Sequence, residues 1–309
     1  MKVLITGAEG QLGETLIKTK PTEIINKEII LISLSKKDLD LSNELSCKEL
    51  IKKHNPDWVV NCGAYTSVDK AESQKEIANA VNARGPYYLA KYLKEINGKL
   101  IQISTDFVFN GESNKAYEID HPIDPINAYG ESKAQAERYL TKKEYEFENI
   151  FIIRTSWVVG NTGKNFFLTM LKLISEKEII KVVNDQIGCI TSLDNLSKVC
   201  WKLIKLKEES VKIPNILHFS DSGICTWYDV ARSIFELAAE KELILNEPKI
   251  NPVDSDYFNL PAKRPSFSLL NSQETYNLFQ FTPTHWRKSL DILLDSLDDK
   301  FLNKLKKYE

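Results

Sequence analysis

The chain has 309 residues, 42% of them hydrophobic and 27% charged, with a formal net charge of -2 and a pI near 6.2. That balance suits a globular protein with room for one large α/β domain or two unequal ones, and it excludes the basic footprint of a nucleic-acid binder. No apolar run approaches the ~18 residues needed to cross a bilayer, so no membrane partner is expected either.

The apolar run after Met1 is too short for a signal peptide and meets a glycine at once, which suits a buried strand better. Five cysteines (Cys47, Cys62, Cys189, Cys200, Cys225) are scattered without CxxC spacing and read as reduced thiols of a cytoplasmic protein. The four histidines are equally dispersed, so no metal site is expected, and the basic run at 304–307 reads as a solvated helix end.

Val3-Leu4-Ile5 predicts a strand, Gly7-Ala8-Glu9-Gly10-Gln11-Leu12-Gly13 a glycine turn, and Glu14 to Lys18 a helix. Gly7 allows a tight turn, Gly10 lets a pyrophosphate approach the backbone, and Gly13 lets the helix pack closely on the strand. The spacing is GxxGxxG rather than the stricter GxGxxG. Glu28 to Ser35 reads as the next strand and lacks the acidic residue that usually holds the adenosine ribose; Lys36 and Lys37 follow, a weak pointer to NADPH over NADH. Ser46 to His54 reads as a helix, and Asp57 to Asn61 as a strand running into the small residues Cys62-Gly63-Ala64. Ser67 to Leu93 gives two helical patterns, with Tyr88, Leu89 and Tyr92 as core packing.

Lys99 to Ile103 is a fourth strand, ending at Ser104-Thr105-Asp106, where hydroxyls and a carboxylate can line a site or merely cap the next turn. Ala128-Tyr129-Gly130-Glu131-Ser132-Lys133 opens a predicted helix that puts Tyr129 and Lys133 on one face, one turn apart. A phenol, with a pKa near ~10, is a poor acid at neutral pH, and a nearby cation lowers that value. Tyr129 could then give a proton to a carbonyl oxygen while a hydride reaches the carbon. Alone, so short a pattern equally describes an exposed Tyr and Lys on a polar helix. Ile150 to Gly160 is a further buried strand, so five strands alternate with helices and imply a Rossmann-type doubly wound parallel sheet with helices on both faces.

Near Gly160 the pattern changes. Residues 1–160 read as a dinucleotide-binding domain, rejoined by parts of 190–220, and residues 161–309 mainly as a smaller mixed α/β substrate domain. There, Asn165 to Ile174 reads as a helix, Lys181 to Gly188 as strand and turn, and Asp194 to Leu206 as a helix whose Leu196, Val199, Cys200 and Leu203 could pack back on the first domain. Ile216 to Phe219 reads as a strand, Thr226 as the cap of a helix, Pro252 to Arg264 as irregular, and Trp286 to Leu294 as a helix.

Taken together, the glycine turn, Ser104-Thr105-Asp106-Phe107-Val108-Phe109 and the Tyr129/Lys133 pair resemble the extended short-chain dehydrogenase/reductase superfamily. Within it, Ala64-Tyr65-Thr66-Ser67-Val68-Asp69-Lys70-Ala71-Glu72, Arg154-Thr155-Ser156-Trp157, Asn184-Asp185-Gln186-Ile187-Gly188 and Arg264-Pro265 are similar to the dTDP-4-dehydrorhamnose reductase family, in its order and across most of the chain. The resemblance implies NAD(P)H-dependent reduction of the C4 keto group of a nucleotide-linked 4-keto-6-deoxyhexose. It implies Tyr129 as proton donor, Lys133 on the nicotinamide ribose, Thr105 on the same keto oxygen, and Asp106 and Trp157 on the sugar. Gly7, Gly10, Gln11, Leu12 and Gly13 would serve the pyrophosphate, Asp40 and Leu41 the adenine side, and Ala64, Tyr65 and Thr66 the middle of the cofactor, NADPH or NADH.

Departures from the family pattern are Cys62-Gly63 where alanines are usual, Phe107 for a common Tyr, and Ile190 for a proline after Gly188; no magnesium ligand set carries over. The resemblance leaves open a homodimer, a related sugar-nucleotide epimerase or dehydratase, and, on the same fold, a non-catalytic regulatory subunit of the methionine adenosyltransferase type.

Overall fold

The computed structural model describes residues 1–145, 147–244 and 248–305; of the basic run near the C-terminus, Lys306 and Lys307 lie outside the described residues. Its centre is a parallel sheet of six strands: β1 (Lys2–Thr6), β2 (Ile30–Leu34), β3 (Trp58–Asn61), β4 (Lys99–Thr105), β5 (Ile150–Thr155) and β6 (Ile216–His218). They lie in the order β6-β5-β4-β3-β1-β2, so the winding reverses at β1 and opens a crevice beyond the carboxyl ends of β1 and β3.

Alternate side chains of each strand enter opposite layers, because the side-chain period of a strand is two. Val3, Ile5, Val60, Ile101 and Ile153 face α5 (Leu193–Glu208), which covers them with Leu196, Val199, Cys200 and Leu203. On the other face, Leu4, Val59, Leu100 and Ile152 meet α2 (Glu44–His54) and α3 (Gly85–Glu95) through Ile51, Leu89 and Leu93. The remaining two helices that matter here are α1 (Gln11–Lys18), after the glycine turn, and α4 (Ala128–Thr141), which carries Tyr129 and Lys133. A separate core around Phe167, Leu171, Ile234 and Leu290 joins the helices Phe166–Glu176, Trp227–Glu240 and Trp286–Asp295. Among the described residues no helix is long and apolar enough to cross a membrane, and all five cysteines are free.

Four local readings need correction. The strand expected from Glu28 begins at Ile30, because Lys27–Glu28 folds back on Glu23–Ile24 through Ile25 and Asn26, both at positive φ. The helical stretch 67–93 is four segments, Val68–Ser73, Lys75–Asn79, a π-helical turn Ala80–Arg84, and α3. The strand expected to run from Ile150 to Gly160 stops at Thr155: Ser156 Oγ donates to Cys189 O at 2.7 Å and Trp157 turns out at φ 46°, after which Val158–Val159 pairs with Thr191–Ser192. The stretch 252–264 is not wholly irregular, since Lys249–Val253 pairs in parallel with Ile179–Val183; Pro252 is tolerated because this two-stranded sheet has only edge strands.

Candidate active site

The crevice above the sheet has a volume of about 1200 Å³. That exceeds the ~300–1,000 Å³ usual for one small ligand and leaves room for two in series. Its floor begins at the glycine turn. Gly7 has φ +60°, and a Cβ there would fall 2.7 Å from Gly63 N; a Cβ on Gly13 would fall 2.3 Å from Gly7 O. Neither position admits a side chain. Gly10, the residue before α1, supplies no side-chain cap, so the backbone N–H groups at the helix start are left for an anion.

The polar strand ends lie level with this turn. Thr6 Oγ1 donates to Asn61 Oδ1 at 2.5 Å, and Asn61 Nδ2 donates to Gln102 Oε1 at 2.7 Å, a buried line of bonds across β1, β3 and β4. At the end of β4, Thr105 Oγ1 donates to Asp106 Oδ1 at 3.0 Å and accepts from Phe107 N. The second carboxylate oxygen, Oδ2, is buried without a hydrogen-bond partner among the described residues, and burial pushes Asp106 up to about 6.

Helix α4 starts where it does because Asn127 caps it, its Oδ1 accepting from Gly130 N at 2.7 Å, while Glu72 Oε1 accepts from Ala128 N at 2.8 Å. This fixes Tyr129 against Phe107, ring centroids 5.8 Å apart and edge to face. Lys133 is buried and donates from Nζ to Ile103 O at 2.7 Å. The expected lowering of the Tyr129 pKa by Lys133 is not found. Burial, then the nearby Asp106 carboxylate, push the phenol up to about 12, against a hydrogen bond with Thr105 that favours the phenolate. Burial likewise brings Lys133 down to about 8, opposed by Glu137 and Cys62. Desolvation is the largest influence on both groups.

The opposite wall comes from the C-terminal region. Trp157 stacks on Trp227 with centroids 3.9 Å apart at 11°, and Phe166 supports Trp227 from behind at 4.4 Å. Gln186 Oε1 accepts from Trp227 Nε1 at 3.2 Å. A Cβ on Gly188 would come within 2.9 Å of the Trp157 indole, so only glycine leaves that ring its place. Across the mouth, Arg264 donates to both oxygens of Asp69, at 3.1 and 2.8 Å, and holds that carboxyl below its usual range.

A family model described as the RmlD substrate binding domain matches residues 1–298. The dTDP-4-dehydrorhamnose reductase of Aggregatibacter actinomycetemcomitans is 35% identical, over 94% of this chain and 97% of that protein. The chain belongs to the dTDP-4-dehydrorhamnose reductase family. The spore coat polysaccharide biosynthesis protein SpsK of Bacillus subtilis is 37% identical, over 94% of this chain and 95% of its own length. The crystal structure of the Bacillus anthracis dTDP-4-dehydrorhamnose reductase in complex with NADP superposes with a TM-score of 0.85 at 34% identity, covering 95% of this chain and 98% of that one. A UDP-glucose 4-epimerase from Thermus thermophilus, 16% identical at a TM-score of 0.74, shares the fold alone.

Among the site residues expected from the sequence, Gly7, Gly10, Gln11, Leu12, Asp40 and Leu41 line one end of the crevice. Ala64, Tyr65, Thr66, Thr105, Asp106 and Tyr129 line its middle, together with Lys133 and Trp157. Gly13 does not reach the crevice surface and acts from beneath, through helix packing. Gln11 turns its side chain to the 163–165 loop, donating to Lys164 O at 3.2 Å and accepting from Asn165 at 2.8 Å. Of the two lysines after β2, Lys36 lines the crevice.

Two residues of this site escape a reading of the sequence in the reductase family's terms. Asn82, in the π-helical turn, accepts from Tyr65 N at 2.7 Å and donates to Tyr65 O and Ser132 Oγ, both at 2.9 Å, tying the loop after β3 to α4. An Asn among the apolar residues of an amphipathic stretch is its one available signal. Trp227 showed only as the first residue of a helix.

Proposed function

We propose that the chain reduces the C4 keto group of a nucleotide-linked 4-keto-6-deoxyhexose, dTDP-4-dehydro-L-rhamnose to dTDP-L-rhamnose, using NADPH or NADH. One observation carries this reading: Thr105, Tyr129 and Lys133 converge in the same crevice as a side-chain-free turn and an uncapped helix start. That turn fits a dinucleotide pyrophosphate, which backbone N–H groups would hold at the start of α1. Asp40 and Leu41 take the adenine side, Ala64, Tyr65 and Thr66 the middle, and Lys133 the nicotinamide ribose. When bound, the reduced nicotinamide supplies the hydride.

The chain's own groups supply the rest. A phenol held up at about 12 is fully protonated at neutral pH, which is the state a proton donor needs. Tyr129 donates that proton to the C4 oxygen as charge develops there. Thr105 donates to the same oxygen once its hydroxyl turns from Asp106, and Asp106 then offers its unpaired oxygen to a sugar hydroxyl. Trp157 presents an apolar face to the deoxysugar ring. Residues 1–160, with the returning β6 and α5, form the cofactor half, and residues 161–309 mainly the substrate half; the separate cores on either side support that division. The free thiols support a cytoplasmic setting.

The test is to incubate purified protein with dTDP-4-keto-6-deoxy-L-mannose and each reduced nicotinamide and to follow loss of reduced-cofactor absorbance against sugar formed. Stoichiometric oxidation is expected. Sugar conversion with no net oxidation would replace the reductase reading with a recycling epimerase or dehydratase, and no conversion with either cofactor would remove it.

A further inference from the structure

Behind Lys133 lies a buried ionic cluster to which the reaction as described assigns no part. Glu137 follows Lys133 by one turn of α4 and is 1% exposed. The two side chains grip successive residues of β4, just before Thr105: Lys133 Nζ donates to Ile103 O at 2.7 Å, and Ser104 Oγ donates to Glu137 Oε1 at 2.5 Å. Arg154, the β5 partner of Ser104 in register, donates to the same carboxylate from Nε at 3.0 Å and Nη2 at 2.7 Å. Its Nη1 donates to Ile119 O at 2.9 Å and to His218 Nε2 at 3.1 Å. His218 must therefore accept at Nε2 and donate from Nδ1 to Tyr117 O, 3.1 Å away, which makes it the neutral tautomer. Burial, then Arg154, push its pKa down to about 3, in keeping with that assignment.

A buried ion pair is weak evidence for stability, because desolvating two charges offsets most of their attraction. Its place on the turn after Lys133 gives it another use. We propose that Glu137 is a positioning residue for Lys133: its carboxylate, gripped by Ser104 and Arg154, seats this turn of α4 on β4 and so fixes the neighbouring amine, with a negative charge one turn away, beside Thr105. Other groups face this centre. They are Cys62 after β3, on Lys133 itself; Asp106, on the neighbouring Tyr129; Glu72, on the first N–H of α4; Arg154 from β5, on Glu137; and His218 from β6, on Arg154. Among them Glu137 is the largest influence opposing the loss of the Lys133 proton, ahead of Cys62.

The inference rests on the reading of Lys133 as a cofactor-facing group, and two readouts separate its failure from failure of the reductase reading. In Glu137→Gln the alkaline limb of the rate-against-pH profile is expected to move down by about one pH unit, with the plateau below it within a few-fold of the parent. The pH at which NADPH binding weakens, measured by fluorescence on protein without sugar, is expected to move by the same amount. If Glu137→Gln does not fold, Glu137→Gln/Arg154→Met removes both charges, and shifts in the same direction but smaller are expected, because the cation that opposes the carboxylate is lost with it. A uniform loss of rate with both pH midpoints unmoved would reduce the cluster to a structural staple and overturn the proposal. Should the parent oxidise no cofactor with any keto sugar, the binding titration alone still decides it.

Discussion

The floor of the crevice and the wall opposite are built by different means. The floor consists of strand ends and a glycine turn, where backbone geometry and groups a few residues apart do the placing: Gly7 with Gly13, Thr105 with Asp106, Tyr129 with Lys133. The wall is a meeting of residues distant in sequence, Trp157 on Trp227, Gln186 behind, and Arg264 reaching Asp69. Chemistry common to a fold can reside in the first kind of structure. Selection among sugars needs the second, because it depends on a shape that several segments make together.

The sharpest way to break this contrast is at the floor. Tyr129→Phe removes one hydroxyl and nothing of the packing against Phe107. Turnover is expected to fall at least ~100-fold, the usual size of lost general-acid help, with cofactor affinity nearly unchanged. Steady-state rates beside a fluorescence titration of NADPH check both halves; near-normal turnover would leave the floor a binding surface and favour a non-catalytic role.

Asp106 tests whether the floor carries strain for its function. Its folded pKa, about 6, is raised above the ordinary aspartate value by burial. The folded state therefore binds the proton more tightly than the unfolded one. The stability tied to that proton is complete below about pH 4 and is lost as pH rises through 6. Asp106→Asn is expected to raise unfolding stability at pH 7 by roughly 2 kcal/mol and to have little effect near pH 3, while sugar turnover falls. Urea unfolding at the two pH values measures it, and an equal effect at both would assign the stabilisation to something other than the charge.

How much of this was legible follows the same division. The sheet, the glycine turn and the Tyr129 helix could be read because strand period, turn chemistry and a four-residue spacing are local signals. Glu28, expected in β2, instead belongs to a hairpin that leaves no apolar alternation, and Pro252 concealed a short edge strand. The break at Trp157 showed only as polar residues and one tryptophan where the strand leaves the sheet, since Val158 and Val159 continue the apolar run; what turns the chain is Cys189 O and the Trp227 ring, 30 or more residues away. Asn82 and Glu137 were hidden for the same reason, being polar residues on helical segments whose partners, Tyr65 and Ser132 for one, Ser104 and Arg154 for the other, are distant in sequence.

The wall is sharpened by Trp227→Ala. Trp157 would lose its stacked support, and its left-handed backbone, held in part by that contact, would be free to relax. An aromatic pair contributes about 0.5–1.5 kcal/mol beyond its buried area, so KM for the sugar nucleotide is expected to rise about 10-fold. Cofactor affinity should not change. A matching loss of NADPH binding would show that wall and floor are one unit, contrary to the division drawn above.

The smallest effect is expected where the two meet. Arg264 and Asp69 form a two-pronged pair across the mouth, but the side chains keep 22% and 36% of their exposure, so solvent screens the attraction. Asp69→Asn keeps one acceptor for the guanidinium and is expected to cost under ~1 kcal/mol of stability by thermal unfolding. Its effect on catalysis turns on geometry instead. Ala262 N and Arg264 share Asp69 Oδ1, while Asn127, the cap of α4, donates to Lys263 O at 2.8 Å, so residues 262–264 are anchored to the floor at two points. Loosening one of them should raise KM for the sugar a few-fold and leave the Tyr129-dependent step intact, because the second anchor still holds the segment against α4. A large fall in kcat instead would mean that the strap at 262–264 helps to place the helix itself, and the floor would then owe its geometry to the wall.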